Sequence, residues 1–235
     1  MKFDETPVIT IDGPSGTGKG TVSQLLAREL GWNFLDSGAL YRVLAWGARQ
    51  HAVSLENEPA LKVLAEHLDA QFKVSNLDPP SVMLEGTDVT QAIRSESCGN
   101  DASIIAAFPS VRYALLARQR AFCEPPGLVT DGRDMGTVVF PNALLKIFLE
   151  ATDETRIHRR FLQLKTQGLR VNLKSIEKEL KVRDQRDKER EIAPLKPAED
   201  AILVDTTGLT IEQVLSNILK LARICLEKHD RHIRA

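Results

Sequence analysis

The stretch Pro7-Val8-Ile9-Thr10-Ile11-Asp12-Gly13-Pro14-Ser15-Gly16-Thr17-Gly18-Lys19-Gly20-Thr21 decides the fold. The apolar, β-branched run up to Asp12 reads as a buried strand. A glycine-rich turn follows, and Val22, Leu25, Leu26 and Leu30 then fall on one face of a helix beginning at Lys19. Strand, glycine-rich loop and helix in that order make a P-loop. Glycines let successive N–H groups curl inward toward phosphate oxygens. The helix N-terminus adds partial positive charge, and Lys19 brings a full charge to the β- and γ-phosphates. All nine residues from Gly13 to Thr21 are therefore expected to bind the triphosphate of a nucleotide. A ligand-free turn is the bland alternative, and the agreement of strand, loop and helix speaks against it.

The common pattern places Ser or Thr directly after the lysine, where its hydroxyl holds Mg²⁺. Here Gly20 stands there and Thr21 follows. The Gly-Lys-Gly-Thr form is similar to that of nucleoside monophosphate kinases. It implies Mg²⁺ carried mainly by the ATP phosphates and water, and no protein metal ligand is assigned.

The chain has 235 residues, enough for one large domain or a core with subdomains. Its 43% hydrophobic and 27% charged residues are those of a globular protein, and the net charge of −1 gives no global field for nucleic acid or an anionic membrane. No apolar run is long enough to span a bilayer, and the short acidic start is unlike a secretory signal. Cys98, Cys123 and Cys225 lie far apart without metal-ligand spacing, as expected of free thiols in a reducing cytoplasm. No unexplained apolar stripe appears, and a monomer is expected.

Strand-like runs recur at 7–12, 33–36, 128–131, 145–149 and 201–205, with helical patterns between them. That alternation predicts an α/β fold: a five-stranded parallel sheet with helices on both faces. Shorter runs near 71–74 and 81–85, with a turn at 76–80, predict a small antiparallel-sheet insert near 72–89. A charged helical region from Asp153 to Glu191 is interrupted near Gly168. Ligands in such folds bind at the carboxyl ends of the strands, where Asp12, Asp36, Asp131 and Asp205 stand. For Asp12, capping or satisfying the loop is an equally good reading.

Three constellations could serve phosphoryl transfer. In Asp36-Ser37-Gly38-Ala39-Leu40-Tyr41-Arg42, Ser37 is expected to cap a helix, with Tyr41 and Arg42 a turn further on. Such a terminus can bind a phosphate and border a base; a merely capped amphipathic helix is the alternative. In Thr130-Asp131-Gly132-Arg133-Asp134-Met135-Gly136-Thr137, carboxylates flank an arginine after a buried strand. Arg133 can clamp phosphate bidentately and Asp134 can accept from an amine, or the turn can be held by internal ion pairs. In Val182-Arg183-Asp184-Gln185-Arg186-Asp187-Lys188-Glu189-Arg190, Arg183, Asp187 and Arg190 share a helix face. They suit a transition-state charge clamp, or a solvated face with local pairs Arg183–Asp187 and Asp184–Lys188. Upstream, Arg156, His158, Arg159 and Arg160 suit a short helical lid, with His158 a surface residue rather than a base. Few apolar residues are expected to anchor that lid.

Taken together, these motifs closely resemble those of the bacterial cytidylate kinase family over nearly the full length. The carriers are 8–16, Leu35-Asp36-Ser37-Gly38-Ala39-Leu40-Tyr41-Arg42, 131–141, Arg183-Asp184-x-Arg186-Asp187 and Ala193-Pro194-Leu195. The resemblance implies transfer of the ATP γ-phosphate to CMP or dCMP, with ATP and CMP/dCMP as partners. It implies one kinase domain, 1–235: a core at about 1–36 and 113–235, a monophosphate-binding region with the insert at about 37–112, and a lid at about 156–170. Lys19, Arg133, Arg159, Arg183 and Arg190 are then the catalytic residues. Ser37, Tyr41 and Arg42 belong to the acceptor site; Ser103, Arg112 and Asp134 read cytosine; Arg133, Arg183, Asp187 and Arg190 surround the sugar and phosphate. Two readings stay open beside it: another small-acceptor kinase, such as a shikimate or dephospho-coenzyme A kinase, and a regulator that senses ATP without transfer.

Overall fold

A computed structural model of the chain describes residues 6–73, 81–166, 168 and 171–233. The expected turn at 76–80 and part of the lid span lie outside these residues. The described chain divides into two compact units, 1–35 with 123–235 and 36–122.

The larger unit is built on a five-stranded parallel sheet. Its strands are β1 (Val8–Asp12), β2 (Asn33–Asp36), β6 (Leu128–Gly132), β7 (Leu145–Glu150) and β8 (Ile202–Asp205), in spatial order β2-β6-β1-β7-β8. β1 is central and buried at all five positions, which is why it reads as continuous apolar sequence. β8 is an edge strand; Leu203 is 56% exposed, so its apolar character is not that of a core strand. Helices α1 (Lys19–Leu30) and α8 (Ile211–Ile233) pack on the sheet through Val22, Leu26, Val214 and Ile218, which meet Ile9, Ile11, Val129 and Ile147. α1 stops at Gly31, whose left-handed backbone lets its N–H reach back to the carbonyls of Ala27 and Arg28. Helices α6 (Asp153–Thr166) and α7 (Leu173–Glu189) form a third packed group. There Ile157, Phe161 and Leu164 meet Ile176 and Leu180. This corrects the expectation that the lid span has few apolar anchors: those three fall on the α6 face turned to α7.

The smaller unit holds α2 (Ser37–Gln50), α3 (Glu58–Glu66), α4 (Glu96–Ile105) and α5 (Pro109–Arg120). It also holds an antiparallel sheet of β3 (Ala70–Lys73), β4 (Ser81–Leu84) and β5 (Thr87–Asp88). Val43, Leu44, Leu61, Leu84, Ile105 and Leu115 share its core. α5 packs against α3 and therefore belongs to this unit. By compactness the smaller unit runs to Phe122, beyond the end at about 112 expected for the monophosphate-binding region. The helix starts follow capping chemistry: Asn57 accepts from Ala60 N–H, Ser95 from Cys98 N–H, and Pro109 occupies the first turn of α5.

Candidate active site

The loop between β1 and α1 turns where the glycines allow it. Gly13 has φ of 149°, and a Cβ there would lie 2.4 Å from the Leu149 carbonyl oxygen. Gly16 has φ of 83°, and its Cβ would lie 2.9 Å from Cβ of Arg156. Outside the loop, Arg156 Nη1 donates to the Ser15 carbonyl at 2.9 Å and Arg159 Nη1 to the Thr17 carbonyl at 3.2 Å. Across a trans peptide the next N–H points opposite to the C=O. These contacts therefore turn the amides of Gly16 and Gly18 away from the two arginines. Thr17 Oγ1 and Lys19 Nζ both donate to the Pro14 carbonyl at 3.1 Å.

Arg156 is buried and pairs with Asp153 at 2.6 Å and Asp184 at 2.5 Å. Arg159 is held further by Thr206, through Oγ1 at 2.8 Å and the carbonyl at 2.6 Å. Thr206 is itself buried, with its Oγ1 3.0 Å from the Glu150 carbonyl oxygen and 3.2 Å from that of Thr17, either of which can take its one proton. Sequence reasoning identified Arg159, placed Asp184 in a local pair with Lys188 and in the family motif, and gave no part to Thr206; their bonds to Arg156 and Arg159 arise through the tertiary fold. A cleft of about 470 Å³ beside the loop is lined by Pro14, Thr152, Asp153, Arg156, Asp184 and Lys188, among others.

The segment after β6 is the second part. Arg133 Nε donates to Asp187 Oδ2 at 2.8 Å. Asp187 is buried, which pushes its carboxyl up; Arg133, Arg183 and Arg190 together outweigh that and hold it below the usual carboxylate range. Burial pulls Arg133 down, and Asp187, Asp184 and Asp131 more than reverse this. Arg190, also buried, donates to the Ala193 carbonyl at 2.8 Å. Arg183 on α7 meets Arg133 around one carboxylate together with Arg190, which corrects the expected helix face: α7 ends at Glu189 and Arg190 stands just past it, in a non-helical backbone. The alternative of a merely solvated face is corrected, because Asp187 also reaches Arg133 and Asp184 reaches Arg156. Both carboxylates are buried and take partners far along the chain in addition to any one turn away.

Asp134 is buried and opens a π-helical turn, Met135–Val139. Asp12 fastens that turn: its two oxygens accept from Met135 N–H at 2.9 Å and Gly136 N–H at 2.8 Å. Of the two readings of Asp12, satisfying a loop is the one the structure supports. Its burial raises the carboxyl to about 6, against the two backbone hydrogen bonds.

The smaller unit carries the other expected residues. Asp36, not Ser37, caps α2, accepting from Ala39 N–H at 2.9 Å. Ser37 is already inside the helix, and its hydroxyl donates to Gln119 Oε1 at 2.8 Å. Arg42 donates to the Ile93 and Ser95 carbonyls, over a surface that only a glycine at 99 leaves open. The Arg112 guanidinium lies 5.6 Å from the Tyr41 ring centre and donates to the Ala106 carbonyl at 3.1 Å. Ser103 is buried on α4. Tyr41 and Arg112 thus stand together in this unit, while Arg133, Asp134, Asp187 and Arg190 belong to the other.

The side chains near Gly20 are compatible with an Mg²⁺ that a bound nucleotide would carry on its phosphates. Among the described residues no group of three or more His, Cys, Asp or Glu could hold a metal. A Cβ at Gly20 would meet only Asp131 Oδ2, at 3.9 Å, and no hydroxyl stands there. Such a sparse donor set suits Mg²⁺, which keeps several waters and binds through phosphates.

A glycine-cornered anion loop on a parallel sheet, with buried arginines beside it, defines a P-loop protein built to handle phosphate groups. A family model described as Cytidylate kinase matches residues 9–224. A cytidylate kinase of Stutzerimonas stutzeri is 65% identical over 91% of this chain and 93% of its own length. Those of Azotobacter vinelandii and Pseudomonas syringae pv. tomato are each 62% identical, over 90% and 92% of this chain and 93% and 94% of their own lengths. The chain belongs to the cytidylate kinase family. No observation favours the other small-acceptor kinase or the non-catalytic regulator. No helix among the described residues is long and apolar enough to cross a membrane.

Proposed function

We propose that the chain transfers the γ-phosphate of ATP to CMP or dCMP, giving ADP and CDP or dCDP. The observation that carries this reading is the P-loop with Lys19, in a chain that matches the family from residue 9 to 224. In this reading 13–21 cradles the ATP phosphates, with Lys19 swinging from the Pro14 carbonyl to the β- and γ-phosphates. Mg²⁺ rides on the ATP phosphates and neutralises part of their charge. The acceptor phosphate is already an ionised nucleophile near neutral pH, so the work is positioning and charge neutralisation rather than base catalysis. Arg133, Arg183 and Arg190 supply positive charge in the larger unit, with Asp187 fixing their forks. Arg159 braces the loop through Thr17 and joins the catalytic set.

Cytosine recognition falls to Ser103, Arg112 and Asp134, with Ser37, Tyr41 and Arg42 serving the acceptor. Cytosine offers an amine donor and ring acceptors, which a carboxylate, an arginine and a hydroxyl complement. Uracil presents a carbonyl in place of that amine, and a mismatch of this kind is worth several powers of ten in a hydrogen-bonding pocket. The span 156–170 is proposed to close as a lid that excludes water. The enzyme is proposed to act as a cytoplasmic monomer. A coupled ADP-release assay over CMP, dCMP, UMP and AMP tests the whole: CMP and dCMP are turned over and UMP much more slowly. Equal rates with UMP and CMP would reject the cytosine readers, and turnover of some other acceptor alone would reject the activity.

A further inference from the structure

Asp12 occupies a place that neither phosphate chemistry nor core packing requires. It is the last residue of β1, directly before the P-loop, and is 4% exposed. Its two oxygens take the N–H groups of Met135 and Gly136, which follow Arg133 and Asp134 directly. The turn is seated on the same strand by close approach. A Cβ on Gly136 would come within 2.8 Å of Thr10 Oγ1 and 3.2 Å of Lys146 Cδ, so the backbone there lies flat on the sheet. One carboxylate therefore joins the start of the donor loop to the base of the turn that presents Arg133 and Asp134.

We propose that Asp12 is a positioning residue for acceptor use: its carboxylate fixes the backbone after Asp134 and so sets the aim of Arg133 and Asp134. The inference rests on the reading of those two as acceptor-side residues. A neutral side chain of the same shape cannot do this. An asparagine has one acceptor oxygen and would face the second N–H with its own amide donors. Protonated Asp12 has the same defect, since one oxygen becomes a donor. The charged groups facing Asp12 are Asp134 from the turn, which favours protonation, and Lys19 from α1, which opposes it. Lys146, on the same face of β7, is taken by Asp200 at 2.8 Å. With its carboxyl raised to about 6, Asp12 changes state just below neutral pH.

The test compares Asp12→Asn with the unaltered enzyme, alongside Asp134→Ala. Asp12→Asn is expected to raise KM for CMP about tenfold, the cost of about one hydrogen bond to a buried charge, and KM for ATP less than threefold. CMP itself titrates near pH 6, equally for both proteins, so the ratio of their CMP kcat/KM values isolates Asp12. That ratio is expected to shrink toward one as pH falls from 7.5 to 5.5. Equal losses for CMP and ATP, or a ratio flat with pH, overturn the proposal. If Asp12→Asn does not fold, the amide proton shifts of Met135 and Gly136 in the unaltered enzyme decide. A common midpoint near 6 supports the linkage, and shifts flat over that range overturn it. If Asp134→Ala leaves KM for CMP unchanged, the acceptor-side reading fails. If it raises KM and Asp12→Asn does not, positioning alone fails.

Discussion

Asp187→Ala tests the arginine cluster most directly. The substitution leaves Arg133, Arg183 and Arg190 facing one another without the carboxylate that holds Arg133 at 2.8 Å. Removing one partner of a buried pair costs about 3–5 kcal/mol. Burial of Asp187 itself opposes its ionisation, and Arg133 keeps 14% of its side chain exposed, so water recovers part of the loss. A destabilisation of about 3 kcal/mol at pH 7 is expected, read as a lower urea midpoint. The pH dependence has a definite sign. Asp187 is depressed below its ordinary 3.8, so its contribution is present at neutral pH and is lost as pH falls below that value. The gap between the two proteins should narrow below pH 4. Replacing two of the partners, Arg133→Met with Asp187→Leu, should restore only part of the stability, because Arg183 and Arg190 still lose the carboxylate, while CMP turnover stays lost. An Asp187→Ala protein within about 0.5 kcal/mol of the parent at pH 7 would refute the reasoning, since that is what exposed substitutions show.

Lys19→Ala should abolish transfer with an unchanged circular dichroism spectrum, since the half-buried side chain donates to a loop carbonyl, that of Pro14; near-native turnover by the folded variant would remove the loop from the catalytic reading. Gly16→Ala should cost about 1–3 kcal/mol and weaken ATP binding, because the new Cβ would press on Arg156 at 2.9 Å from a left-handed backbone; unaltered calorimetric stability would contradict it. Asp12, raised from 3.8 to about 6, adds stability that is full below pH 3.8 and lost as pH rises through 6. Relative to Asp12→Asn, the parent should therefore gain about 2 kcal/mol in urea denaturation between pH 7 and 4, and parallel curves would disprove the shift. Amide exchange, free and with both nucleotides, should show protection of 156–170 on binding; protection confined to the P-loop would remove the lid.

The parallel sheet was legible because its central strands are buried on both faces and so read as unbroken apolar runs. The P-loop was legible because its glycines are needed locally: the close approaches at Gly13 and Gly16 leave room for no side chain. What sequence could not give were the partners. Asp187 and Arg183 have the spacing of a local helix pair, and only the fold shows that Asp187 faces Arg133, 54 positions away. The extent of the smaller compact unit was hidden for the same reason. α5 follows α4 after a Phe108-Pro109 joint, and nothing in its own residues says that it packs on α3.

Asp12 shows how such a gap hides function. In the sequence it is one acidic residue before a glycine, and its burial is a cost: a carboxyl raised to about 6 is one that neutral pH ionises against its surroundings. Buried charges are kept where they are hydrogen-bonded to something that needs them. Here the recipients are two backbone amides on another strand's loop, 123 and 124 positions along the chain. The same logic applies to Arg156, whose buried charge is divided between Asp184, Asp153 and the Ser15 carbonyl. Each of these groups fixes backbone. The P-loop is thus held from outside by Arg156 and Arg159, and the 133–136 turn from below by Asp12. A loop that must bind phosphate without reorganising gains from being held in this way, because its amides are already aimed when the ligand arrives.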